Sequence, residues 1–355
     1  MSIRARRIGR PHRWSAALIL AALGVATTGA AAPAADHAAN VDQVTIGYSA
    51  WPGWLPLAVA QKQGIFEKDG LDVHLKYFAD YVSSLDAMSA GKLDANSQTL
   101  NDTMAAVAGG SEQAIIVVND NSAGNDAIIC DEAITSVADM KGKTVAAEKG
   151  LVDHFLLLQG LAKAGLTQDD IDFRGVLTAD AAASFADGQF DCVGVPAPFT
   201  QEALKRPGSH EIFNSRDFPG VVPDDIVASR TMVTQEPNVA QKIVNAWYDT
   251  LDYIQANPKK SARIMAGVAK MSTKDYNELA RDTKIFSIDD ALQAFQPGDT
   301  VTSLQYTAGL INPFIVDSGL AKKAASLDTL FAPQFTQAYA AAHRSRATAT
   351  RAPAA

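Results

Sequence analysis

The chain has 355 residues, 39 acidic and 31 basic side chains, a formal net charge of −8, and two cysteines. An acidic balance argues against nucleic-acid binding, which draws its affinity from cationic contacts to phosphate. Beyond the first 35 residues no segment holds eighteen apolar residues in a row, which excludes a hydrophobic helical span there.

Residues 1–35 read as a secretory signal peptide. Arg4, Arg6, Arg7, Arg10 and Arg13 form a basic start, Ala16 to Val25 a short apolar stretch, and Gly29 to Ala35 a small-residue cleavage region. Neither Cys130 nor Cys192 lies near that region, so no lipid anchor is expected there. The leader holds five bases and no acids. Removing it leaves 39 acids against 26 bases, net −13 with histidine neutral. The remaining chain of about 310 residues suffices for two domains of ordinary size. The mature protein is expected to be exported, soluble and periplasmic.

Val44, Ile46 and Tyr48 alternate as a strand does. Pro52 and Gly53 punctuate, and a helix with a broad apolar face follows over 54–63, ended by Gly64. In an open α/β sheet, ligands sit beyond the carboxyl ends of strands. Ser49, Trp51 and Trp54 fall there, with core or lid packing as the plainer role for the two indoles. The alternation continues with strands at 72–77, near 94–97 and at 114–118, and helices at 81–90 and 101–108, which implies a mainly parallel sheet. The third strand ends on Ser97-Gln98-Thr99 and opens a helix at Asn101-Asp102. Free N–H groups and a positive dipole end make that a second ligand position for Thr99 or Asn101, while Asp102 reads as helix-end charge.

Residues 119–126 are polar. Strands follow at 127–130, 144–147, 171–176 and 192–195, with a surface helix and turn at 135–143 and helices from 150 to about 164 and at 179–185. Glu148, Asp153 and His154 stand at the second strand-to-helix mouth, with His154 placed to face the sheet instead. Pro196 and Pro198 fix the loop after the 192–195 strand. Cys130 and Cys192 sit in strand-like runs. They read as buried free thiols, although an exported protein permits a disulfide. A short edge strand is expected at 212–214, a turn-rich connector at 218–225 and a strand at 226–229. Beyond Glu236 the pattern is helical only, over 239–255, 261–268, 273–281, 289–295 and 301–317. Trp247, Tyr248, Leu251 and Ile254 share a core face, and 343–355 reads as a disordered tail.

Four stretches carry a family resemblance: the opening strand with its aromatic loop and Ala60 to Leu71; Val137 to Ala147; Gly188 to Pro198; and Trp247 to Pro258. Over residues 41 to 335 the chain resembles the solute-binding proteins of ABC importers, in the nitrate/sulfonate/taurine group that also includes thiamine-pyrimidine binders. The resemblance implies an α/β, two-lobe periplasmic-binding-protein-like fold of type II. Two mainly parallel sheets would be joined by two crossover strands, near Ser122–Asp126 and Asp224–Ser229. One lobe would be 41–122 plus 230–340, the other 123–229, closing by a hinge on a small-molecule ligand before docking on a membrane permease. A monomer is expected, with no cofactor.

Mapped onto this chain, the family's ligand positions are Ser49, Trp51 and Trp54; Thr99 and Asn101; Asn125 and Asp126; Glu148, Gly150 and Val152; and Pro196 with Pro198. One departure matters. Sulfonate binders tend to carry small hydroxyl residues after the helix-opening glycine, where this chain has Leu151 and Val152. The carboxylates of Asp102, Asp126 and Glu148 would repel a plain anion and suit an ammonium beside the indoles. The ligand is therefore expected to be a small amine-containing, zwitterionic or heteroaromatic molecule. Nitrate or an alkyl sulfonate is the competing class, and delivery to a signalling receptor a further alternative. An enzyme is not expected. A pyrimidine synthase of this fold uses a cysteine-rich iron motif that two lone cysteines cannot supply, and no Gly-x-Ser-x-Gly or His-Glu-x-x-His occurs. His37, His74, His154, His210 and His343 lack metal-ligand spacing.

Overall fold

The computed structural model describes residues 41–351, so the expected leader lies outside the described residues. Among them, eleven strands form two sheets. The strands are β1 (Asp42–Tyr48), β2 (Leu71–Tyr77), β3 (Ala95–Thr99), β4 (Gln113–Ser122), β5 (Asp126–Cys130), β6 (Thr144–Ala147), β7 (Asp172–Gly175), β8 (Cys192–Pro196), β9 (His210–Asn214), β10 (Pro223–Ser229) and β11 (Thr283–Ile285). The first sheet has the order β11-β4-β10-β3-β1-β2 and the second β7-β6-β8-β5-β9.

Both sheets are mixed, not mainly parallel. β1 runs parallel to β2 and β3, but β10 lies antiparallel between β3 and β4. β6 runs parallel to β7 and β8, but β5 is antiparallel to β8 and β9. The reason is connectivity. Strands fed by helices within one sheet all point the same way. β5 and β10 each arrive from the other sheet, start where their neighbours end, and so run back. The segment 224–229, expected as a crossover, is therefore an inner strand of the first sheet, and the two passages between sheets are 123–125 and 215–222. The Ser122 and Ser215 hydroxyls lie 2.6 Å apart across these passages, and Gly124 donates its N–H to Ser215 Oγ at 2.8 Å.

Period-2 patterning decides how each sheet is covered. In the second sheet, Ile128, Cys130 and Val145 pack under the helix Val152–Lys163, against Leu156, Leu157 and Leu161. Their neighbours Ala127, Ile129 and Ala146 pack on the opposite face against Ala181 and Phe185 of the helix Thr178–Ala186. In the first sheet, Val44 and Ile46 lie with Leu57 and with Trp247 and Tyr248 of the long helix Pro237–Ala256. Ile115, Val118 and Val227 turn to Leu100 and Met104 of Leu100–Ala108 and to Ile311 and Phe314 of Leu304–Asp317. Leu251 and Ile254 are only half-buried at the edge of that core.

One further expectation changes. Cys130 and Cys192 stand opposite each other in the β5–β8 ladder and are joined in a disulfide, not free. Spacing along the chain does not show which strands become neighbours. The helix Gln334–Arg351 is docked at Phe335 and Tyr339.

Candidate ligand-binding cleft

β1 ends at Tyr48, and Trp54 closes a tight turn by donating its N–H to Trp51 O at 3.0 Å. The turn folds both indoles inward, where Trp51 is 8% and Trp54 3% exposed. Trp51 Nε1 donates to Asp120 Oδ1 at 2.9 Å. The Trp54 ring packs 6.4 Å from Trp51 and 5.2 Å from Tyr81. Tyr81 opens the helix Tyr81–Ser89, whose first turn Asp80 caps through Ser83 N–H. Its hydroxyl accepts from Thr99 N–H at 2.9 Å and donates to Asp102, which also accepts from Thr99 Oγ1 at 2.6 Å and Asn101 Nδ2 at 2.8 Å.

Below the indoles lie carboxyls from three strands. Asp120 of β4 and Asp224 of β10 are register partners, Asp225 follows on β10, and Asp126 begins β5. Burial pushes Asp120 up to about 7, against bonds from Trp51 and Asp224 that favour its charged form. Asp126 is pushed up to about 7 by burial, opposed by a bond from the Ser122 hydroxyl. Asp102 reaches about 7 for the same first cause. Asp224 and Asp225 are held well above the carboxylate range, first by burial and then by the charge of Asp120. Two facing carboxyls raised in this way are held toward sharing a proton.

The opposite wall comes from the second sheet. Glu148 follows β6 and accepts from Thr178 N–H at 3.0 Å and Thr178 Oγ1 at 2.6 Å. Asp153, in the first turn of Val152–Lys163, is raised by burial and then by the charges of Asp126, Asp102 and Glu148. Between the walls is a cavity of about 470 Å³. Its lining includes Asp80, Asp126, Glu148, Asp153, Asp180 and Asp224 and, among the described residues, no lysine, arginine or histidine. Several buried polar atoms of the lining residues have no hydrogen-bond partner among the described residues: Ser49 Oγ, Trp54 Nε1, Asp126 Oδ2, Asp153 Oδ1 and both oxygens of Asp224. Nature rarely leaves such groups unmatched except where a ligand or solvent meets them. No group of three His, Cys, Asp or Glu among the described residues is arranged to hold a metal ion.

Of the positions expected from the sequence, Ser49, Trp51, Trp54, Thr99, Asp126, Glu148, Val152, Pro196 and Pro198 line the cavity. Asn101, Asn125 and Gly150 do not. Asn101 is spent on Asp102. Asn125 ties the passage between sheets to Leu279 O at 2.7 Å and Thr283 Oγ1 at 2.8 Å. Gly150, at φ +89°, is pressed against Leu320, where a Cβ would come within 2.2 Å. His154 faces the sheet. It accepts Gly150 N–H at Nδ1, which leaves Nε2 to donate to Gln168 Oε1 at 2.6 Å, and it stacks on Phe173. Sequence reasoning missed Tyr81, Leu177, Thr178, Phe199 and Asp224. Asp80 ahead of Tyr81 is a helix-cap signal that places Tyr81 at a strand-to-helix mouth. The others have no such signal.

The model of the NMT1-like family matches residues 37–270. A Brucella abortus (strain 2308) protein named as a binding protein is 26% identical over 299 residues, which is 82% of this chain and 91% of the relative. The periplasmic aliphatic sulphonate binding protein SsuA of Escherichia coli superposes with a TM-score of 0.68 at 21% identity, over 83% of this chain and 99% of that one. The desulfurization enzyme DszB superposes with a TM-score of 0.59 at 15% identity, over 85% of this chain and 100% of that one. Both structural likenesses establish the fold that the resemblance implied.

Proposed function

This chain belongs to the NMT1-like family, and on that premise we propose that it is an exported solute-binding protein that captures a small organic cation and delivers it to the membrane permease of an ABC importer. The observation that carries this is the cavity itself: two indoles and two tyrosines with six acidic side chains and, among the described residues, no cationic side chain in the lining. An ammonium, amidinium or protonated heteroaromatic ring would gain about 0.5–2 kcal/mol from each aromatic face it meets. It would also offset charge that burial makes costly for the carboxylates.

The two sheets, each with its covering helices, are the two lobes in this proposal, and the passages at 123–125 and 215–222 are its hinge. Closure would bring Glu148, Asp153 and Thr178 onto a ligand seated on Trp51 and Trp54. The protein acts as a monomer and without catalysis. Its disulfide leaves no free thiol among the described residues, and the relatives are named as binders.

The likeness to the sulfonate-binding SsuA favours a second class, an alkyl sulfonate or nitrate. Leu151 and Val152 at the helix opening offer no hydroxyl to such an anion, and the surrounding carboxyls repel it. A thermal-shift panel on residues 36–355 separates the two. A ligand at a hundred times its dissociation constant stabilises by about 2.7 kcal/mol, a shift of several degrees. Primary amines, amidines and aminopyrimidines are expected to shift the midpoint. A shift with taurine, alkanesulfonates or nitrate alone would return the protein to the anion-binding class.

A further inference from the structure

Building on the cation assignment above, we infer that the cleft takes up its ligand in exchange for a proton: an organic cation with N–H bonds settles on Asp224, Asp126 and Asp153 as Asp224 releases the proton it shares with Asp120. Asp224 lines the cavity, and neither of its oxygens accepts from an N–H or O–H donor among the described residues. Asp126 and Asp153 line the same cavity, and their Oδ2 and Oδ1 atoms are buried without a donor among the described residues. Three acceptors around one space ask for a ligand with several N–H groups. A quaternary ammonium, which has none, would leave all of them unmatched.

Independent of the acids, Trp54 Nε1 is a buried donor with no acceptor, and its ring lines the cavity at 3% exposure. Ser49 Oγ beside it is also unpartnered. The ligand therefore carries a hydrogen-bond acceptor or an electron-rich ring at the end away from its charge.

The groups around the Asp120–Asp224 pair set the direction of the exchange. Asp225 adjoins on β10 and Asp126 on β5. Glu148 and Asp153 face it from the second sheet, Asp102 and Tyr81 from the first helix openings, and Tyr276 from the helix Thr273–Arg281. Lys284 on β11 is turned outward to Asp290 at 3.1 Å. Without a ligand the cluster stays near neutral only by holding protons. When the ligand arrives, the Asp224 O–H bond breaks and the proton passes to bulk solvent. Ligand N–H groups then bond to the carboxylate oxygens. One positive charge replaces another, so no uncompensated charge is buried.

Calorimetry on residues 36–355 with benzylamine, benzamidine and benzyltrimethylammonium tests this. Near pH 7, N–H cation binding measured in phosphate and in Tris is expected to differ in enthalpy by the release of about one proton, and affinity to rise toward tenfold per pH unit below the network's titration. Benzyltrimethylammonium is expected to bind at least about tenfold more weakly, the equivalent of one unmatched acceptor. Asp224→Asn is expected to remove the buffer dependence. If that variant does not fold, the wild-type buffer pair still decides. Binding of benzylamine or benzamidine with no proton release, or equal affinity for the quaternary compound, overturns the exchange while leaving a cation binder. No binding of any of the three sinks the cation assignment itself.

Discussion

Trp51 Nε1 lies 2.9 Å from Asp120 Oδ1, so the loop after β1 is fastened to the carboxyl that shares a proton with Asp224. This one bond positions an aromatic wall of the cleft and holds Asp120 toward its charged form. Trp51→Phe keeps a ring but removes the donor, leaving a buried acceptor unmatched. The expected cost is about 1–3 kcal/mol of unfolding free energy, read by urea denaturation, with weaker binding of amines. An unchanged midpoint and affinity would show that the bond has no structural role.

Gly53 is required beside that carboxyl. A Cβ there would fall 1.9 Å from Asp120 Oδ2. Gly53→Ala is expected to displace Asp120 or the Trp51 loop, at about 1–3 kcal/mol, the usual cost of overpacking. Near-ultraviolet circular dichroism should report the altered indole environment along with the lower midpoint.

The buried acids make stability depend on pH in an unusual direction. Asp102, Asp120 and Asp126 stand at about 7 in the folded chain, against an ordinary value of 3.8. Between these values the folded state binds more protons than the unfolded, so unfolding free energy falls as pH rises. Their contribution is full below about pH 4 and is lost through about pH 7. The ligand-free midpoint is therefore expected to be higher near pH 5 than near pH 8. The lowered carboxyls of Asp139, Asp170, Asp191 and Asp290 act oppositely, but only at more acid pH. A midpoint that climbs from pH 5 to pH 8 without ligand would contradict the buried acid network.

The disulfide sits at the end of the β5–β8 ladder away from the cleft, four residues from Asp126 and about 13 Å at the rise of a strand. It closes a sequence separation of 62 residues. Replacing both Cys130 and Cys192 by serine is expected to cost about 4 kcal/mol by loop entropy. Amine affinity under folding conditions should not change. A large loss of affinity in the folded double variant would show that the pair shapes the cleft.

The local elements were legible because they rest on short-range chemistry. The alternation of Val44, Ile46 and Tyr48, the turn at Pro52-Gly53 and the helix start near Thr99 each follow from a few adjacent residues, and they brought Ser49, Trp51 and Trp54 to the cleft. What was not legible depends on long-range pairing. Asp224 and Asp225 stand in a stretch punctuated by Pro219, Gly220 and Pro223, which reads as a turn. Only pairing with β3 and β4 on both sides makes it a buried strand, which buries both acids and brings Asp224 into the cleft lining. β11 has three residues, too few to show a period. Asn125 and Gly150 sit at the right chain positions, but their contacts to Leu279 and Leu320 come from segments more than a hundred residues away.

The most direct test of a cation-binding cleft is a comparison of two ligands of the same shape and opposite charge. Benzylamine and benzenesulfonate would be titrated into residues 36–355 near pH 8, above the value of about 7 at which Asp102, Asp120 and Asp126 stand. Saturable binding of benzylamine with none of benzenesulfonate is the expected result. Binding of benzenesulfonate alone would contradict it and place the protein among the anion binders its fold also supports.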